Sequence, residues 1–177
     1  MTKLLLLIGL PGSGKSTLAS RLCVEYPGSQ LISTDIIRAQ LFGSQEVQGP
    51  WPLVWREVEQ QFKQAVAHSS VAIYDATNAV RRYRKEAIAL ARVTGFTHII
   101  GLWWDTPLCV CLERNKKRDR YVPEEVILQM HSSLFNAPPI LKEGFDYLIR
   151  SSCARCGNCD PMDEKEPNSR NLTALIL

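Results

Sequence analysis

The chain has 177 residues, of which 45% are hydrophobic and 22% charged, with a formal net charge of +3. That is an ordinary globular composition, enough for one domain with a sizeable core. No apolar run approaches the length of a membrane span, and Leu4–Ile8 is too short for a signal-peptide core, so no membrane association and a cytoplasmic address are expected.

Lys3–Ile8 reads as the first strand. It leads into Gly9-Leu10-Pro11-Gly12-Ser13-Gly14-Lys15-Ser16-Thr17, the pattern Gly-x-x-x-x-Gly-Lys-Ser of a phosphate-binding loop. A helical pattern beginning near Leu18 follows and stops at Pro27-Gly28. In that strand–loop–helix setting the glycines aim backbone N–H groups at a phosphate, and the helix adds its positive end. Lys15 reaches the β- and γ-phosphates and the Ser16 hydroxyl is placed for Mg²⁺.

Gln30–Ser33 is a short second strand, followed by a short helix over Ile36–Leu41. Asp35 then sits at a strand's carboxyl end, on the edge where ligands of open α/β sheets bind. Gly43–Pro52 reads as a loop carrying Trp51, and Leu53–His68 as a helix with apolar positions at helical spacing. Val71–Tyr74 is a strand ending in Asp75. The helix Ala79–Thr94 splits into an apolar face with Val80, Tyr83, Ala87, Leu90 and Ala91 and a basic face with Arg81, Arg82, Lys85 and Arg92. Thr97–Trp104 is a fourth strand, with one of Trp103 and Trp104 expected inside.

From Pro107 a helix is expected to run into the stretch Arg114 to Arg120, which holds five basic residues. Pro123 opens another helix, and Phe145–Ile149 is a fifth strand. Alternating strands and helices imply a parallel sheet covered on both faces. The fold class expected is α/β: a three-layer α/β/α domain of the P-loop NTPase type, with a sheet of about five strands and a helical lid. Residues 1–150 would form the domain and 151–177 a flexible tail. Up to residue 150 there are 18 basic and 14 acidic residues. That balance permits a phosphate-rich partner without demanding one.

Phosphoryl transfer needs a cradle, a metal, a group for the acceptor and positive charge on the moving phosphoryl. Asp75 suits the orientation of Mg²⁺ and its waters. Asp35 is fit to align an acceptor hydroxyl, with Arg38 three residues on holding an anionic part of the acceptor. An aspartate there also suits a helix N-cap. Arg114 and Arg118, four apart, would meet on one helical face and supply the charge as a lid closes. Arg81, Arg82 and Lys85 read first as a solvated face and second as a surface tracking a nucleic-acid backbone. Trp51 is the better candidate for stacking a base.

Cys23, Cys109 and Cys111 read as small buried hydrophobes. Cys153, Cys156 and Cys159 have metal-like spacing but no fourth ligand nearby. The histidines are isolated and carry no assigned role.

Taken in order, the loop, Ser33-Thr34-Asp35-Ile36-Ile37-Arg38, Asp75-Ala76-Thr77-Asn78 with Arg82, Arg114-Asn115-Lys116-Lys117-Arg118, Val122-Pro123 and Glu143-Gly144-Phe145-Asp146 resemble the phosphate-loop kinase group. This group includes the 5′-kinase domain of phage-type polynucleotide kinase. The resemblance implies ATP and Mg²⁺ bound by Lys15 and Ser16, and Asp35 activating the acceptor hydroxyl. It also implies Arg38 on an acceptor phosphate, and Asp75 with Asn78 supporting the metal and the acceptor side of the active-site edge. Arg114 and Arg118 would lie on the lid, with Arg118 stabilising the transition state. No phosphatase domain follows, so phosphorylation alone is implied. The acceptor expected is the 5′-hydroxyl end of a polynucleotide. A small hydroxylated metabolite is the alternative, and an ATP-binding regulatory module without catalysis is a third reading. Oligomeric state is not legible in the sequence.

Overall fold

The computed structural model describes residues 1–118 and 120–152. The expectations for Cys153, Cys156, Cys159 and the apolar end beyond Leu172 lie outside the described residues. Those residues form, in chain order, β1 (Lys3–Ile8), α1 (Lys15–Glu25), β2 (Gln30–Ser33), α2 (Thr34–Phe42), α3 (Trp51–His68), β3 (Val71–Asp75), α4 (Arg81–Thr94), β4 (His98–Asp105), α5 (Leu108–Lys116), α6 (Glu124–Asn136), a 3-10 turn (Leu141–Glu143) and β5 (Tyr147–Ser152). The strands are parallel and lie in the order β2-β3-β1-β4-β5.

The unbroken apolar run of β1 follows from its central place, because both of its faces are covered. Leu4, Leu6 and Ile8 join a core with Val54, Val58 and Phe62 of α3 and Ala87 and Ala91 of α4. Leu5 and Leu7 face the other way, against Ala19 and Leu22 of α1. Each buried leucine contributes roughly 2 kcal/mol. The three-layer α/β/α fold is thus the one expected.

Several boundaries move for physical reasons. Helix α2 starts at Thr34, with Ser33 at the N-cap position, so Asp35 lies within the first turn. Its charge there favours the positive helix end. Trp51 is the first residue of α3, not part of a loop. Pro52, the second residue of that helix, sits there without cost because first-turn N–H groups have no helical partner. On α4 the buried face runs through Arg84, fully enclosed, while Tyr83 is 50% exposed.

The helix α5 ends at Lys116 and does not reach Arg120. The buried Asn115 side chain stops it: Nδ2 donates to the Val122 carbonyl at 2.7 Å and the Val122 N–H donates to Oδ1 at 3.1 Å. This pairing folds the chain back, so Arg114 and Arg118 do not share a helical face. Phe145 packs into the core and the strand begins later, at Tyr147, running to Ser152 rather than stopping at residue 149. Trp103 and Trp104 are both half-buried, and of the described cysteines Cys111 is buried, Cys23 half-buried and Cys109 exposed.

Candidate active site

Parallel strands deliver their carboxyl ends to one edge. Ile8 ends β1 there, Asp75 ends β3 beside Ser33 of β2, and Thr106 follows β4. The phosphate loop lies across this edge, next to the point where strand order reverses around β1. Gly12, at φ +79°, shows why the loop needs glycine: a Cβ would sit 2.5 Å from the Cys111 carbonyl oxygen of α5. The Ser13 carbonyl accepts from Thr106 Oγ1 at 2.9 Å and from Arg114 Nη1 at 3.4 Å. Gly9 N–H donates to the Thr77 carbonyl, binding the loop to the end of β3.

Lys15 opens α1 and is buried. Its Nζ donates to the Leu10 carbonyl at 2.7 Å and to Ser13 Oγ at 3.3 Å. Burial pushes its pKa down to about 8, against the raising influence of Asp75, and the charges of Arg118 and Arg120 push the same way as burial. Ser16 and Thr17 are exposed to the cleft. Asp75 is 8% exposed and lines the same cleft. Cys111, below the loop, has its thiol pushed up to about 11 by burial, which makes it an unreactive spacer.

Asp35 faces the loop across the cleft. Its Oδ1 accepts from Arg38 Nη1 at 3.1 Å, and its Oδ2 accepts from Arg120 Nη1. Arg38 Nε is buried without a hydrogen-bond partner among the described residues, and burial lowers the pKa of this guanidinium from its ordinary value. Asn78, held at φ +48°, donates from Nδ2 to the Leu7 carbonyl at 2.7 Å. Its amide nitrogen therefore braces the edge against β1, while the residue still lines the cleft. Arg118 lies in the turn after α5, near enough for its charge to act on Lys15.

The cleft has a volume of about 1340 Å³ and carries the loop on one wall and Asp35, Arg38 and Trp51 on the other. Single small-ligand sites run to roughly 300–1,000 Å³, so it has room for two substrates. Hard oxygen donors are present for a divalent cation, the Ser16 hydroxyl and the Asp75 carboxylate, and they fit Mg²⁺ by chemistry.

Three residues went unassigned in the sequence. Thr106 carries a legible signal, a hydroxyl immediately after a strand's carboxyl end. Asn115 carries a second, a polar residue on the apolar side of its helix. Arg120 carried none, because its partner Asp35 is 85 residues away. The basic helix side is also occupied in part. Arg81 pairs with Glu143 and Arg82 with Glu86.

The family model described as AAA domain matches residues 4–137. The chain belongs to the AAA domain family. A chain of the Pnkp1/Rnl/Hen1 RNA repair complex is similar in structure, with TM-score 0.69 and 24% identity over 82% of this chain and 46% of that one. This AAA domain chain therefore spans less than half the length of that relative. A fungal RNA kinase is similar with TM-score 0.63 and 16% identity, over 90% of this chain and 78% of its own. A sugar kinase from Janibacter sp. has TM-score 0.59 and 23% identity, over 86% of each chain. No curated protein matches. These likenesses show the fold, the phosphate-loop α/β/α domain that the sequence resemblance implies.

Proposed function

We propose that this AAA domain protein is an ATP-dependent phosphotransferase that moves the γ-phosphoryl to the 5′-hydroxyl end of a polynucleotide. The observation that carries this reading is the Asp35–Arg38 pair across one cleft from Lys15. A nucleotide switch has no need of a carboxylate and a half-buried guanidinium with an unpartnered Nε on the wall opposite its phosphate loop. The likeness to chains from an RNA repair complex and a fungal RNA kinase supports the polynucleotide end as acceptor.

In this reading ATP enters on the loop, and Lys15 exchanges the Leu10 carbonyl for the β- and γ-phosphates. Mg²⁺, held through Ser16 and Asp75, supplies neutralisation of phosphate charge when bound. The acceptor hydroxyl displaces Arg120 from Asp35 and donates to the freed carboxylate oxygen. Arg38 takes an acceptor phosphate on Nε and its remaining N–H groups, as planar guanidinium forks do. A bond forms between the acceptor oxygen and the γ-phosphorus, the bond to the β-phosphate oxygen breaks, and Asp35 receives the hydroxyl proton. Arg114, Arg118 and the released Arg120 face the charge that develops on the moving phosphoryl. Asn78 keeps the acceptor edge in register with β1.

Transfer of labelled phosphate from ATP to 5′-hydroxyl DNA and RNA oligomers tests this. The expected result is labelled 5′ ends, lost in Asp35→Asn while ATP still binds. ADP release with a small hydroxylated metabolite, with oligomers inert, would assign the acceptor to that class instead.

A further inference from the structure

Four aromatic or cationic side chains meet on the acceptor wall, and the phosphate chemistry uses only one of them. Trp51 and Trp55, four apart on α3, have ring centroids 5.8 Å apart and planes inclined by 29°. Tyr83 of α4 approaches Trp51 at 6.4 Å. Arg38 Cζ lies 6.0 Å from the Trp51 centroid. The same helix sends Val54, Val58 and Phe62 fully into the core. Trp51 points away from that core, 39% exposed, on the wall of the cleft. A clustered, part-exposed aromatic surface costs solvation that a folding role does not recover, and such surfaces mark ligand sites. Aromatic rings backed by other rings are stiff, and bases of any sequence stack on them.

The placement relative to Asp35 is held by the turn between α2 and α3. Gly49, at φ +57°, leaves no room for a Cβ, which would fall 2.2 Å from the Phe42 ring at the end of α2. Pro50 then caps α3, and Trp51 follows. Asp35, Arg38 and Trp51 form a continuous sequence of contacts along the wall. A nucleoside has its base and its 5′-oxygen at opposite ends, which is what a carboxylate and a ring separated by one arginine would engage.

We propose that Trp51, backed by Trp55 and flanked by Tyr83, is the platform on which the 5′-terminal nucleobase of the acceptor stacks. The acceptor is then selected by its ring as well as by its phosphate. This rests on the polynucleotide reading above. It assigns a specificity-determining role to Trp51 that the phosphoryl-transfer machinery does not require.

The test compares two 5′-hydroxyl oligomers that differ only at the terminal residue, a natural nucleoside or an abasic sugar. With wild-type protein the abasic end should raise KM about tenfold or more, with kcat little changed. Trp51→Ala should raise KM for the base-bearing oligomer by a similar factor and make the two substrates equivalent. Trp51→Phe should restore most of the difference. Urea midpoints of the variants check folding, and the abasic comparison needs no variant at all. Equal KM for both oligomers, with wild-type turnover intact, overturns the platform and leaves the kinase reading standing. No transfer to either oligomer from protein that binds ATP overturns the polynucleotide reading and the platform with it.

Discussion

Lys15 holds its ammonium against the Leu10 carbonyl and Ser13 Oγ, inside a loop shaped for phosphate. Burial lowers its pKa to about 8, so the charge is present at neutral pH but weakly held. Phosphates favour the charged form and raise that pKa, so nucleotide binding takes up a proton once the pH exceeds about 8. ATP affinity should be flat below that value and fall above it, by up to about tenfold per pH unit. Calorimetry in buffers of different ionisation enthalpy would detect the proton uptake, and a flat profile to pH 10 would remove Lys15 as the titrating group. Lys15→Ala should abolish turnover. Arg118→Ala should lower kcat roughly a hundredfold or more, as for loss of an arginine stabilising a phosphoryl transition state. A wild-type rate in that variant would pass the role to Arg114 or Arg120.

At the scale of elements, the end of α5 governs where those arginines stand. Asn115 clasps both backbone groups of Val122 and closes the segment carrying Arg118 and Arg120 at its base. Arg120 fastens the segment again at its far side, on Asp35. In the proposed reaction an acceptor that takes Asp35 would release that second fastening while the first stays. Asn115→Ala leaves the part-buried Val122 N–H and carbonyl without their side-chain partner and should cost about 1–2 kcal/mol. Urea denaturation measures that loss. Trypsin should cut faster at Lys117 or Arg118 in the variant, and unchanged cutting would mean that Arg120 alone holds the segment.

Across the whole molecule, one buried ion pair ties the site to the far helices. Arg84 Nε donates to Glu143 Oε2 at 2.7 Å and Nη2 donates to Oε1 at 2.8 Å. Its other N–H groups donate to the carbonyls of Asn78, Ala79 and Ala137. All five guanidinium donors are used, and they join α4, the end of α6, the 3-10 turn and the segment after β3 that carries Asn78. Glu143→Ala strands a buried charge and should cost about 3–5 kcal/mol. The double replacement Arg84→Met with Glu143→Leu should be less destabilising than either single change, because neither charge is then left alone. Chemical denaturation of the three variants decides it, and additive losses would count against a coupled pair.

The sequence by itself determined the succession of strands along the chain, the phosphate loop, and the acidic residues Asp75 at a strand end and Asp35 just past one. These are local signals: an apolar run, a glycine pattern and a carboxylate placed next to each. It also determined the family, since the loop, Asp35 with Arg38 and the Asp75 to Asn78 segment lie in fixed order. The register of the later elements was decided only in three dimensions. Helical spacing alone would have continued α5 to Arg120, and only the Asn115–Val122 pairing across the turn ends it. Arg84, to which the sequence assigned no role, found its buried partner in Glu143, 59 residues away. Trp51 joined Asp35 and Arg38 on one cleft wall only when α2 and α3 packed together. The physical reason is common to all three. A contact made outside the regular spacing of a helix or strand leaves no periodicity behind, whereas a buried strand or a phosphate-binding turn must be written in consecutive residues.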